Sequence, residues 1–361
     1  MSKNAQKIAV PLISVLLGFL LGAIIMVIFG YDPIWGYEGL FQIAFGSVKN
    51  IGEIFRSMGP LILIALGFTV ASRAGFFNVG LSGQALAGWI SAGWFALLNP
   101  DMPRPLLILM TALIGMIAGG IAGAIPGILR AYLGTSEVIV TIMMNYIILY
   151  VGNAIVQRGY PESVKQSIDS TIQVSDNASY QTHWLSALTN NSRINIGIFF
   201  AIIAIAFSFF AWFLLYKTRF GLRLRSVGEH PQAADTLGIN VYLMKYYGVM
   251  ISGFLGGIGG AVYAQSISVN FAVTTILGPG FIALAAMIFG KWNPVGAMLS
   301  SLFFGLSQSL AVIGAQLPLL EKIPTVYLQI APYMVTIIIL AAFFGQAVAP
   351  KADGINYIKS K

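Results

Sequence analysis

The chain has 361 residues, of which 57% are hydrophobic and only 9% charged, with a mean hydropathy of +0.83. A soluble domain carries about 25% charged residues, so a water-soluble enzyme is all but excluded. With no cysteine and only two histidines, His183 and His230, there is no thiolate site and little material for a metal centre or a catalytic triad.

A hydrocarbon core about 30 Å thick needs about 20 apolar helical residues. Ten uncharged apolar stretches approach or exceed that length, at 8–30, 57–72, 80–98, 106–128, 138–156, 195–216, 247–267, 275–290, 294–316 and 326–349. They predict an all-α membrane protein: a polytopic bundle of about ten transmembrane or re-entrant helices, forming one transmembrane domain over 1–361. The short stretches at 57–72 and 275–290 are expected to extend at their ends or to be broken. The first stretch follows Lys3 and Lys7 but is too long for the apolar core of a signal peptide, so a retained helix is expected.

The formal net charge of +8 is mostly topology. With both termini cytoplasmic and all ten stretches crossing, most Lys and Arg fall inside and most acids outside, as the positive-inside rule asks. The polar segment 157–194 then becomes an extracellular loop and the basic segment 217–246 a cytoplasmic one. This distribution argues against nucleic acid and makes the lipid bilayer the first partner.

No stretch within these bounds contains Asp, Glu, Lys, Arg or His. Proton-coupled carriers and voltage sensors need ionisable groups at depth, so any driving energy is expected to come from outside the membrane. Gly115, Gly119, Gly123 and Gly127 recur every four residues, and Gly253, Gly256, Gly257, Gly259 and Gly260 crowd a later stretch. Small residues on one face let another backbone approach closely; a flexible or pathway-lining element is the alternative. Thr141, Asn145, Gln265, Ser307 and Gln308 are uncharged polar groups at depth. Each must find a hydrogen-bond partner. Helix-to-helix bonding would satisfy any one of them, and a polar pathway for a neutral solute would explain the set.

The densest local signal is GLRLRSVGEHPQAADTLGIN at 221–240. Pro231 suits a first helical position and Gly238 the residue just past a helix end. A helix of about two turns is expected between them, preceded by the cations Arg219, Arg223 and Arg225. It is too short to be stable alone, so it must dock, either on a partner or on lipid phosphates.

This segment resembles the cytoplasmic coupling segment of ABC importer permeases in the family serving branched-chain amino acids, simple sugars and nucleosides. RAGFFNVGLSGQALAG at 73–88 and GPGFIALAAMIFGKWNPVGA at 278–297 resemble two further stretches of that family. TSEVIVTIMMNYI at 135–147 is similar to its nucleoside-uptake branch, and the long 157–194 loop suits the longer permease of such a pair.

The resemblance implies ABC importer permease architecture and a bacterial cell membrane location. It implies a second permease subunit, a cytoplasmic ABC ATPase and an extracellular substrate-binding lipoprotein as partners. ATP and Mg would sit on the ATPase, with no cofactor, metal or catalytic residue in this chain. LSGQ at 81–84 is one glycine short of the ATPase signature, and no G-x-x-x-x-G-K-[ST] phosphate cradle occurs in the chain.

For ATPase coupling the expected residues are Arg223, Arg225, Gly228, Glu229, Pro231, Ala234 and Gly238. For the substrate pathway they are Asn78, Gln84, Glu137, Asn145 and Gln265, with Phe271 or Phe281 as stacking candidates for a base. Glu137 has a plainer alternative role, stabilising a helix N-terminus. The rival readings are the same machine carrying a simple sugar or a branched-chain amino acid, a stand-alone sodium-coupled transporter, and an intramembrane enzyme.

Overall fold

Long apolar runs closed by glycine, proline or polar residues become helices. The computed structural model describes residues 32–46, 48–168, 170–179, 194–268, 270–271, 277–314, 349–355 and 357, with scattered positions between 20 and 30. In chain order the helices are α1 (Pro33–Phe45), α2 (Val48–Arg73), α3 (Leu81–Leu98), α4 (Arg104–Leu133), α5 (Glu137–Ala154), α6 (Ile194–Lys217), α7 (Arg219–Glu229), α8 (Pro231–Thr236), α9 (Val241–Tyr263), α10 (Leu277–Phe289) and α11 (Pro294–Gly314). Single π-type turns, Ile155–Gly159 and Ala264–Ser268, extend α5 and α9. A small antiparallel hairpin pairs β1 (Lys165–Ser167) with β2 (Ser170–Thr171).

Among the described residues five helical segments are long and apolar enough to cross a membrane: Ile51–Arg73, Leu81–Leu98, Arg104–Ala131, Glu137–Gly159 and Val241–Ser268. A sixth is formed if α6 is counted with α7, across a 75° bend. The protein is therefore a helical, multi-pass membrane protein. The stretches at 8–30 and 326–349 lie largely outside the described residues.

Helix α10, from the short stretch at 275–290, has 13 residues, too few for a full crossing. Two features depart from the sequence expectation. Helix α1 coincides with none of the ten stretches. The spanning helices also run past their uncharged cores: α2 starts at Val48 and takes in Glu53 and Arg56, and α9 starts at Val241 and takes in Lys245. Spans free of ionisable groups are thus corrected to spans with charged ends. Glu53, Arg56 and Lys245 are each compensated inside the chain. Arg56 pairs with Glu53 at 3.1 Å and donates to the Ser266 carbonyl at 2.5 Å, at the far end of α9.

Helix α2 is the axis of the bundle. One face (Met58, Ile62, Leu63, Leu66, Val70) packs on Ala201, Ala204, Ala211 and Leu215 of α6. The other (Leu61, Ile64, Ala65, Phe68) packs on α10 and α11 through Ile282, Met287 and Phe304. Beside it, α3, α4 and α9 meet through glycine, as the four-residue spacing in α4 leads one to expect. A methyl group on Gly119 of α4 would fall 2.5 Å from the Cα of Gly257 in α9, and one on Gly88 of α3 would fall 2.6 Å from the same atom. Apolar transfer gives lipid-facing helices no reason to associate. Close backbone approach supplies dispersion contacts that larger side chains would forbid.

Candidate functional site

At the end of the bundle that carries residues 217–246, the chain turns out of the long axis. Thr218 caps α7 by accepting the Gly221 N–H at 3.0 Å, which satisfies one otherwise unpaired helix-start donor. Leu224 and Val227 of α7 turn inward, while Leu222 is exposed. Arg225 donates its Nε–H to the Leu215 carbonyl at 2.9 Å and lies 4.5 Å over the Tyr216 ring. Arg223 is exposed.

Pro231 opens α8 and Gly238 closes it. Gly238 has φ +78°, a left-handed conformation that costs a residue with a Cβ about 1–2 kcal/mol. It lets the Ile239 N–H turn back to the Ala234 carbonyl at 3.0 Å. Helix α8 is thus the two-turn element that the proline and glycine mark out. Its apolar face is split. Ala234 is buried against Val227, Val241, Met244 and Tyr357, whereas Leu237 is 80% exposed. Ala234 fastens the helix to the bundle, while Ala233 and Leu237, which the sequence places with it on one small apolar face, stay outward.

Behind α7 and α8 the four motif stretches converge. Arg73 at the end of α2 donates to the carbonyl oxygens of Trp292, at 2.7 Å, and Lys291, at 3.3 Å. Both acceptors hold φ +54° in the turn between α10 and α11, a conformation strained for residues with a side chain. The guanidinium of Arg73 also stands 3.8 Å from Glu229, whose side chain is 45% exposed. Gly228 packs against the Arg73 backbone so closely that a methyl group there would collide with its carbonyl. One arginine therefore touches the 73–88, 221–240 and 278–297 stretches.

The fourth stretch joins through Glu137, the first residue of α5. It is 2% exposed. Its Oε1 accepts from Arg130 Nε at 3.0 Å and from Lys245 Nζ at 3.1 Å, and its Oε2 from the Phe77 N–H at 3.2 Å. A carboxylate so placed is compensated several times over. Glu137 sits at a helix N-terminus, as its plainer reading has it, and is the centre of a buried ionic cluster.

The other pathway candidates are also saturated within the chain. Asn78 and Gln84 exchange amide hydrogen bonds at 2.9 and 3.1 Å, and Asn78 also donates to Ser252 at 3.0 Å. Asn145 accepts the Gly83 N–H at 2.7 Å and donates to the Val79 carbonyl at 3.0 Å. Gln265 lies toward the opposite end and bonds Thr111 across helices at 2.8 Å. The structure brings Asn78 and Gln84 together and sets Gln265 apart from them. Near that opposite end Phe271 is buried, its ring 4.6 Å from that of Trp89, in a narrow crevice with Tyr160, Thr171 and Asn270. Phe281 is exposed.

A final element is visible only in three dimensions. Residues 349–355, with Tyr357, fold over the junction. The Ala352 N–H donates to the Gly228 carbonyl at 2.9 Å, and the Ile355 carbonyl accepts from both Arg130 and Lys245 at 3.3 Å. Burial pushes the Asp353 carboxyl up to about 7. Glu137 adds to the rise, and a Ser72 hydrogen bond, Lys245 and Arg73 oppose it.

A family model described as "Branched-chain amino acid transport system / permease component" matches residues 50–340. The chain is 42% identical over 359 residues to the nucleoside ABC transporter permease protein NupB of Lactococcus lactis subsp. cremoris, covering 99% of this chain and 97% of that one. It is 46% identical over 308 residues to NupC, a nucleoside ABC transporter permease protein of the same organism, covering 84% and 94%. It is 42% identical over 308 residues to the guanosine ABC transporter permease protein NupQ of Bacillus subtilis, again covering 84% and 94%. No solved structure matches.

Proposed function

The chain belongs to the branched-chain amino acid transport system permease family, and from that premise we propose that it is the permease subunit of an ATP-driven importer whose cargo is nucleosides. The observation that carries this reading is the near full-length similarity to permeases named for nucleosides. The outward-facing α8, standing on the point where all four motif stretches meet, agrees with it.

A separate cytoplasmic ATPase grips α8 at the surface that bears Leu237 and the neighbouring cations. Closure of the ATPase pushes on α7 and α8 and thereby on Arg73, which holds the ends of α2 and of the α10–α11 turn together. A second, homologous permease completes the pathway; that two permeases of one organism, NupB and NupC, both resemble this chain supports such a pair. A substrate-binding lipoprotein delivers the nucleoside on the outer face of the bacterial cell membrane, and both termini are cytoplasmic. Asn78, Gln84, Glu137, Asn145 and Gln265 serve as the fixed frame of the pathway, since their polar groups are engaged inside the chain. Release on the inner side requires weak binding in between, and rocking of rigid helices provides it.

The test is uptake of radiolabelled guanosine, adenosine and uridine into proteoliposomes. Vesicles holding the full assembly accumulate nucleoside only with ATP at the ATPase side, and vesicles holding this chain alone accumulate none. Concentrative uptake by the isolated chain along a sodium gradient would overturn the proposal.

A further inference from the structure

Helix α8 has six residues, and among them Ala234 alone is buried. A helix this short has no independent stability, and one small side chain is a weak anchor for an element that must transmit force. The additional anchor lies at the other end of the sequence. Tyr357 is buried in the cluster with Ala234, Val227, Val241 and Met244, its ring edge-on to Tyr242 of α9 at 5.5 Å. From there the segment runs back past three fixed points. The Ile355 carbonyl takes Arg130 of α4 and Lys245 of α9. The Ala352 N–H takes Gly228, the penultimate residue of α7. Ala352 is buried beside Gly75, in the connection from α2 to α3. Residues 349–355 and Tyr357 thus touch α7, the α8 cluster, α4, α9 and the α2–α3 connection.

We infer that residues 349–355 and Tyr357 form a tie that makes α7 and α8 move as one with α4 and α9, with Tyr357 as its positioning residue. The importer role of this tie rests on the function proposed above. Its mechanical role rests on the packing alone. Without the ring of Tyr357, α8 keeps its proline start and glycine end but loses the largest buried side chain of its cluster. It can then yield under load instead of passing the load on.

The experiment uses full-length wild-type, Tyr357→Ala and Tyr357→Phe chains. In lipid nanodiscs, amide exchange over 228–239 is expected to rise on the order of tenfold or more in Tyr357→Ala and to match wild type in Tyr357→Phe, which keeps the ring. In the complete assembly, with guanosine, adenosine and uridine as probes, Tyr357→Ala is expected to retain basal ATP hydrolysis and to lose nucleoside stimulation, with Tyr357→Phe restoring it. Unchanged exchange in Tyr357→Ala overturns the tie, as does a full stimulation ratio in that variant. Raised exchange beside a wild-type assembly that no nucleoside stimulates supports the tie and overturns the importer reading.

Discussion

Arg73 and Glu229 face each other at 3.8 Å across the gap between the end of α2 and the end of α7. The pair is partly solvated, and such pairs contribute little by themselves. Its importance is positional, because the same guanidinium holds the carbonyls of Lys291 and Trp292. Movement of α7 is felt at the α10–α11 turn through one side chain.

Replacing Arg73 with Ala is therefore expected to cost about 1.5–3 kcal/mol, the usual worth of a hydrogen bond from a charged donor; the Trp292 bond is half-buried and the Lys291 bond exposed. The strained backbone at Lys291 and Trp292 would lose its clamp as well. Thermal unfolding in detergent micelles measures this. Glu229→Gln, which leaves the two carbonyl bonds in place, is expected to change the melting temperature little.

Glu137 is bonded to two buried cations. Glu137→Gln leaves Arg130 and Lys245 facing each other without a counter-charge, and a loss of about 3–5 kcal/mol is expected. Lys245→Met leaves a neutral Arg130–Glu137 pair and should cost less. Equal losses in the two variants, by unfolding or by yield of folded protein, would contradict the charge argument.

The glycine seam makes a steric prediction. Gly257→Leu must force α9 away from α3 and α4, and overpacking of this kind costs about 1–3 kcal/mol or more. Gly93→Ala, where an added methyl meets nothing within 4 Å, is expected to be neutral or mildly stabilising, since it also removes helix-interior glycine. Unfolding midpoints of the two variants provide the comparison.

Just past α8, Leu237→Asp alters an exposed side chain and should leave unfolding unchanged while it weakens nucleoside-stimulated ATP hydrolysis in the full assembly. Ala234→Glu puts a carboxylate into a closed cluster and should lower both. Gly238→Val should act through the backbone, straining the turn that closes α8. Wild-type stimulation in Leu237→Asp would remove that face from the docking surface.

The carboxyl of Asp353 has its folded-state value raised to about 7 from 3.8, so the docked segment binds more protons than the free one between those two values. Docking of 349–355 is then firmest at the acid end of that window. It weakens as pH rises toward 7 and levels off above it. Glu137, Lys245 and Arg73 are the charged groups that act on it. Asp353→Asn should abolish the pH dependence of the amide protection factors over 349–355, measured against the intrinsic exchange rates at each pH.

Much of this was legible in the chain. Pro231 and Gly238 mark α8 because each acts on its own backbone, and the spacing of Gly115, Gly119, Gly123 and Gly127 announces a close helix contact because helical geometry converts spacing into a face. Less was legible wherever the partner is a main-chain atom. The acceptors for Arg73 and Arg56 are carbonyl oxygens more than 200 positions away, and any residue type supplies a carbonyl. Arg56 and Glu53 were also hidden because a scan for uncharged runs stops where they begin. The amides of Asn78, Gln84 and Asn145 posed a real ambiguity. Sequence shows that each needs partners, and only the fold shows that those partners lie in the α2–α3 connection, α3 and α9. Tyr357, one of 15 tyrosines, carries no local sign of its place behind Ala234.

The backbone-on-backbone contact of Gly88, Gly119 and Gly257 has one more consequence. Interfaces made of long side chains can slide, because rotamers swap and fill the space that opens. At these three glycines there is no rotamer to swap. The contact resists sliding of α3, α4 and α9 past one another, which favours opening and shutting of the route for solute along the borders of the trio.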